Sequence, residues 1–214
     1  LKQATPENNS LMFIVDHQVV MLPLIMKNPG FDVKKDMQPV ARIVNFYTCL
    51  TVPGNSPVKT LEEFIDGAKK NPAQGNIGIP APGSQPHFLT YVLTAVPYRG
   101  WAPALVDLVG GNVPAAIGPC DALVEYKKAG RVKVLAVATE KRLNIMPDVP
   151  AVTEFGFKMP ADSFLGVYAA ANMKPELLKQ IQDATKKMFD NPKIVEKFAA
   201  TQMEPAYANS EELR

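Results

Sequence analysis

Between positions 113 and 139 the chain passes from a short apolar stretch (113–117) through an amphipathic one (121–129) into a second apolar stretch (132–139). A strand, a helix and a strand in that order form a right-handed crossover, with the two strands parallel in one sheet and the helix packed on its face. The same alternation recurs along most of the chain. It predicts an α/β fold with a largely parallel sheet and disfavours helical bundles and all-β sandwiches.

Upstream, 11–15 reads as a strand that ends in the loop carrying Asp16, His17 and Gln18. A long β-type stretch over 39–52 is closed by the turn residues of 53–57. Thr60 and Glu63 form a capping box, and Leu61, Phe64, Ile65 and Ala68 share one helical face before Asn71 and Pro72 stop the helix. A short strand over 76–79 leads to a helix from Ser84, and a helix over 102–109 ends at Gly110-Gly111, a pair suited to a left-handed C-cap. The stretch 163–171 reads as another strand, followed by helices over 175–189 and 192–202 and no new sheet. The long strands 39–52 and 163–171 bracket a middle block that is already a complete α/β unit. The expected division is therefore a discontinuous lobe of 1–50 with 163–214, and a second lobe of 51–162.

Composition narrows the function. With 23 basic and 21 acidic residues, a net charge of +2, and no basic run, the chain has no field that favours nucleic acid. Its longest apolar stretches are strand-sized, well below the ~20 residues of a membrane span. Cys49 and Cys120 are far apart in sequence. They suggest neither a disulfide framework nor a zinc site and read as two buried thiols.

The segment Gly78-Ile79-Pro80-Ala81-Pro82-Gly83-Ser84-Gln85-Pro86-His87 is the most informative about chemistry. A strand end passes through a Pro/Gly loop into a helix, with Ser84 placed as N-cap and Pro86 tolerated in the first turn. Free N–H groups there would bind an anion without a charged side chain, at the strand ends where α/β sheets hold ligands. The bland reading is an ordinary capped helix. His87 and His17 each could be drawn as a general base, yet neither has an obvious nucleophile or orienting group beside it, so no catalytic set is expected. His87 reads better as a partly buried helix residue that fixes the loop by a hydrogen bond. His17, beside Asp16, is either a ligand contact or a surface residue, and Asp162-Ser163 at the entrance of the second long strand faces the same choice. Gly118-Pro119-Cys120-Asp121 is another strand-to-helix loop, with Asp121 first of all an N-cap. Gly110-Gly111 is no dinucleotide fingerprint and no phosphate loop is present, so neither a nucleotide cofactor nor a metal is expected.

Several segments, in order, resemble the Bug family, the solute receptors of tripartite tricarboxylate transporters. They are Gly83, Ser84 and His87 in a Gly-Ser-x-x-His pattern, then Val96-Pro97-Tyr98-Arg99-Gly100 and Ala102-Pro103-Ala104-Leu105. Asp107-Leu108-Val109-Gly110-Gly111, Lys128-Ala129-Gly130-Arg131-Val132 and Pro147-Asp148-Val149-Pro150 continue the match. The resemblance implies a two-lobe, periplasmic-binding-protein-like (Venus flytrap) fold and a periplasmic, monomeric receptor. Such a receptor captures a small organic acid through loop backbone groups and waters and delivers it to membrane permease subunits. It assigns Ser84 and its neighbours to the second-lobe ligand loop and Asp16, His17 and Gln18 to the first lobe. Two departures stand out. The family's N-terminal strand and glycine-rich first ligand loop have no counterpart, so the first lobe is expected to be incomplete, and Gly118 stands where the family commonly has an acidic residue. The expected ligand contacts are then Asp16, His17, Gln18, Gly83, Ser84, Gln85, His87, Pro119, Asp121, Asp162 and Ser163. The helix from Ser84, read through to Ala95, meets Val96 directly with no turn residue between them, which predicts residues missing at that junction.

Two other classes share parts of this pattern. The effector-binding lobes of a transcription regulator would have the same architecture, but no helix-turn-helix is visible. An α/β hydrolase or deaminase-like enzyme would need a nucleophile elbow or a metal-ligand set, and neither is present.

Overall fold

The structure, a computed structural model, describes every residue except 6–8, 91–92, 159–162, 201–203 and 214. In chain order the elements are β1 (Leu11–Val15), a π-helical turn (His17–Met21), α1 (Leu22–Ile25), α2 (Val33–Asp36), β2 (Met37–Phe46) and β3 (Thr48–Pro53). They continue with α3 (Leu61–Lys70), β4 (Asn76–Ile79), α4 (Gln85–Leu89), β5 (Thr94–Pro97), α5 (Trp101–Gly110), β6 (Ala115–Pro119), α6 (Val124–Lys128) and β7 (Val132–Val137). The last are β8 (Ser163–Ala170), α7 (Pro175–Phe189), α8 (Pro192–Ala200) and β9 (Glu204–Ala208). Among the described residues no helix is long and apolar enough to cross a membrane.

The chain divides into two compact units, Leu1–Phe46 with Ser163–Arg214, and Tyr47–Asp162. The division falls at Tyr47 and not at 50/51, because the expected strand over 39–52 is two strands. Its first part, β2, pairs with β8 and β9, while Thr48 to Thr51 of β3 pair with β6. Phe46 and Ser163, where the chain leaves the first unit and returns to it, are register partners in the β2–β8 ladder.

In the first unit the sheet order is β1-β8-β2-β9. Its ladders are antiparallel, not the parallel kind the sequence pattern predicts. Here β9 corrects the expectation that helices alone follow 171. It takes the sheet edge by pairing Arg42 with Ala208, and Val44 and Asn45 with Pro205 and Glu204. Helices α7 and α8 cover one face, where Leu177, Leu178, Ile181 and Phe198 pack on Val40, Ile43, Val44 and Val167.

The second unit holds the sheet β5-β4-β6-β3-β7. Strands β4, β5 and β6 are mutually parallel, and β3 runs antiparallel to β6 and β7. Side chains alternate across this sheet with the strand period of two. Ala115 and Ile117 point to a core with Phe64, Ile77 and Ile79, whereas Ala116 and Cys120 point to a core with Leu105 and Leu108. Helix α3 begins where the sequence places it, with Thr60 Oγ1 accepting from the Glu63 amide at 3.2 Å. The Glu63 carboxylate accepts from the Lys59 amide at 2.7 Å. Its buried face presents Leu61, Phe64 and Ala68, and burying a side chain such as Phe64 contributes about 1.5–3 kcal/mol. Helix α5 ends on Gly111, whose φ of 77° is the left-handed C-cap conformation.

Two expectations fail in this unit. Helix α4 has five residues and stops at Leu89, and ahead of β5 the Leu93 amide donates to Thr90 O at 2.7 Å. Strand β5 then runs unbroken through Ala95 and Val96, paired with Ile77 and Gly78; the missing residues expected there are not needed. The two cysteines are not thiols. Cys49 and Cys120 form a disulfide with a Cα–Cα distance of 5.2 Å across a sequence separation of 71. Antiparallel pairing of β3 with β6, Cys49 opposite Gly118 and Thr48 opposite Pro119, brings together what the sequence keeps apart.

Candidate functional site

Because β4, β5 and β6 are parallel, the loops after Ile79, Pro97 and Pro119 open on one edge of the second sheet. The antiparallel β3 brings Thr48 to the same edge, opposite Pro119. The first of these loops is closed on itself. Gly83, at φ 76°, donates its amide to His87 Nδ1 at 2.9 Å, and the His87 amide donates to Ser84 O at 2.9 Å. Thr90 Oγ1 donates to His87 O at 2.7 Å. His87 therefore fixes the loop by its ring, as the sequence suggests, but from an exposed position and not a partly buried one.

Ser84 directly precedes the helix and is buried. Its hydroxyl, however, turns back and donates to Ala81 O at 2.6 Å. The residue thus locks the Pro80–Gly83 turn, which differs from the accepting role expected of an N-cap. With only five residues in α4, few peptide dipoles add up. The turn's backbone groups, and not a helix dipole, are what this loop offers. Gln85 stands next in line, and Thr48 Oγ1 donates to its Oε1 at 3.3 Å. Thr48 escapes sequence reading because only the β3–β6 register places it here.

At the end of β6, Pro119 is partly buried and Asp121 opens a 3-10 turn, Asp121–Leu123, for which Cys120 is the N-cap. Asp121 is thus one position inside the turn and not its cap. Burial raises its carboxyl above the usual carboxylate range, and the amides of Asp121 and Ala122 partly offset this.

The first unit carries a second group of expected residues. Asp16 follows β1 and stands at the N-cap position, with no side-chain cap bond, of the π-helical turn of five residues that holds His17 and Gln18. Such wide turns are rare and concentrate at functional sites. Asp16, His17 and Gln18 are each partly buried, and the buried Ser163 donates from Oγ to Asp16 Oδ2 at 3.4 Å. Burial pushes the Asp16 carboxyl up, opposed by the amide and charge of His17 and by the Ser163 hydroxyl. Asp162 lies outside the described residues. The structure therefore brings Asp16, His17, Gln18 and Ser163 together in one unit. It brings Gly83, Ser84, Gln85, His87, Pro119 and Asp121 to one sheet edge of the other.

Comparison with known proteins places this arrangement. The family model described as the tripartite tricarboxylate transporter family receptor matches residues 1–214. A protein of the gbd 5′ region of Cupriavidus necator is 29% identical over 220 residues, covering 99% of this chain and 67% of its own length. Protein BugT of Bordetella pertussis is 27% identical, covering 89% of this chain and 61% of its own. The chain thus spans about two thirds or less of these curated relatives. Among solved structures, the periplasmic binding protein BugD superposes with a TM-score of 0.87 at 24% identity, over 99% of this chain and 74% of that one. Rhodopseudomonas palustris Rpa4515 with adipate gives 0.88 at 24% identity over the same shares. These likenesses establish a periplasmic-binding-protein-like fold, of which the chain represents part.

Proposed function

The chain belongs to the tripartite tricarboxylate transporter family of receptors, and on that premise we propose that it captures a small organic acid outside the cytoplasm for a membrane permease. The observation that carries this reading is the Gly83–His87 turn, closed by its own hydrogen bonds at the C-terminal edge of parallel strands. A turn prepared in this way holds its residues in place before a carboxylate arrives, so binding does not have to order them. Gln85, Pro119 and Asp121 complete the contacts from this unit. In the first unit, taken by itself, Asp16, His17, Gln18 and Ser163 are the proposed contact residues. Burial raises the Asp16 pKa, and an ionised Asp16 would repel an anion, so binding should strengthen as pH falls through that raised pKa.

Solved neighbours support the ligand class. Rpa4515 is described with adipate and MatC from the same organism with bound malate, at 24% and 22% identity. A periplasmic location agrees with the Cys49–Cys120 disulfide, since such bonds persist in oxidising compartments. In this reading the receptor acts as a monomer, and the permease subunits are its macromolecular partners. The regulator and hydrolase readings find no comparable support.

A thermal-shift screen of mono- and dicarboxylates tests the proposal. A ligand that binds only the folded state, at a hundredfold excess over Kd, raises Tm by about 5–10 °C. A folded protein that no carboxylate stabilises contradicts it.

A further inference from the structure

The two cysteines stand where β3 and β6 run out of ladder. Register pairing ends with Thr48 opposite Pro119, one step past Cys49 opposite Gly118. Beyond that rung the Cys120 amide donates to Tyr47 O at 2.9 Å, and the chain turns into Asp121–Leu123, for which Cys120 is the N-cap. Cys49 and Cys120 are 0% and 1% exposed, so their bond belongs to the core of the unit. Each is nevertheless the chain neighbour of a residue at the candidate edge. Cys49 follows Thr48, and Cys120 lies between Pro119 and Asp121.

Thr48 links this point to the Gly83–His87 turn. It is buried, its carbonyl accepts from the Ala138 amide at 2.8 Å, and its hydroxyl donates to Gln85 Oε1 at 3.3 Å. Most side-chain hydroxyls bond to backbone or water; this one reaches a side chain 37 positions away, at the head of α4. Strand β3 already has a ladder on each side, with β6 and with β7, so its place in the sheet does not need a covalent bond. What ladders hold least firmly is their end, because terminal pairs fray. The disulfide is placed at that end.

Resting on the carboxylate-receptor reading, we infer that the Cys49–Cys120 disulfide, acting through Thr48, is a positioning element of the ligand edge. Closed, it holds Gln85 at the head of α4 and Asp121 at the end of β6 in the arrangement that a carboxylate meets. Both sulfurs are buried, so the bond acts through its neighbours. An edge fixed before the ligand arrives loses less freedom on binding, and this shows as affinity. Without the bond the ladders keep β3 and β6 in the sheet, while the end rung frays and Thr48 leaves Gln85 in part of the population. Affinity falls with the fraction that stays competent.

Malate, adipate, citrate and benzoate serve as probes, titrated calorimetrically into folded wild type, Cys49→Ala/Cys120→Ala and Ala68→Gly. Ala68 lies on α3 against Gly75, just before β4 begins and so at the other end of that strand from the turn. Its replacement weakens the helix and is the control for lost stability alone. The probe that wild type binds most tightly should bind the double cysteine variant about tenfold more weakly, and Ala68→Gly as it binds wild type. Thr48→Val keeps the disulfide but not the hydroxyl and should lose affinity; Thr48→Ser restores the hydroxyl and should regain it. Equal affinity in wild type and the double variant overturns the inference, as does an equal loss in Ala68→Gly. If the double variant does not fold, the threonine variants decide: Thr48→Val binding like wild type, or Thr48→Ser binding like Thr48→Val, overturns it. Wild type that binds none of the four acids contradicts the receptor reading and this inference with it; the other failures leave that reading standing.

Discussion

Cys49 and Cys120 are joined across a sequence separation of 71, where the start of β3 meets the end of β6. The bond closes the segment that contains the Gly83–His87 turn, α5 and most of the second sheet. Restricting the unfolded chain in this way stabilises the fold, and removing a native disulfide costs about 2–5 kcal/mol. Replacing both cysteines by alanine should lower the denaturant midpoint by a corresponding amount, with reducing agent having the same effect on the wild type. A midpoint insensitive to both would mean that the bond does not form.

The contact between Trp101 and Gly118 predicts strong non-additivity. Gly118→Ala should destabilise by about 1–3 kcal/mol, because the new methyl group overpacks against the ring. In a Trp101→Ala background the space is open and the same change should cost much less. A double-mutant cycle in urea measures the coupling, expected at about 0.5–3 kcal/mol. Simple additivity would show that the ring does not lie on Gly118.

Acid stability should depend on Glu154. The Arg142 guanidinium holds this carboxylate at 2.8 and 2.6 Å. With help from the Ala151 amide it lowers the carboxyl pKa to about 2. A folded-state pKa below the unfolded value of 4.5 means that the stabilisation is present above pH 4.5 and is lost as pH falls toward 2. Glu154→Gln should flatten the pH dependence of unfolding across that window and leave the dependence above it unaltered. An unaltered acid limb in the variant would contradict the assignment. Because the pair is exposed, the gain is small and salt should weaken it.

What could be read from sequence was what local chemistry decides. The cap at Thr60, the C-cap at Gly111 and the proline-started helix α7 each depend on residues a few positions apart, and the structure has them as read. Pairing partners were not legible. Strand β9 exists because Arg42, Val44 and Asn45 of β2 offer an open edge, and nothing within 204–208 announces it. The disulfide and the role of Thr48 both follow from one register, β3 on β6. Helix α4 was overextended because the apolar spacing continues past Leu89, whereas the pairing of Thr94 to Pro97 with β4 claims those residues for the sheet. At the candidate site, the loop residues were legible as strand-end turn chemistry.

The central claim is that the turn from Gly83 to His87 holds a carboxylate, and calorimetric titration of wild type beside Ser84→Pro tests it most directly. Proline removes both the Ser84 amide and the Ser84 hydroxyl, each of which donates to Ala81 O and holds the turn. The wild type should bind an acid found in the thermal screen at a single site, and a folded Ser84→Pro variant, its turn no longer held in place, should bind it at least about tenfold more weakly. Equal affinity in the two folded proteins would place the carboxylate elsewhere and contradict the account.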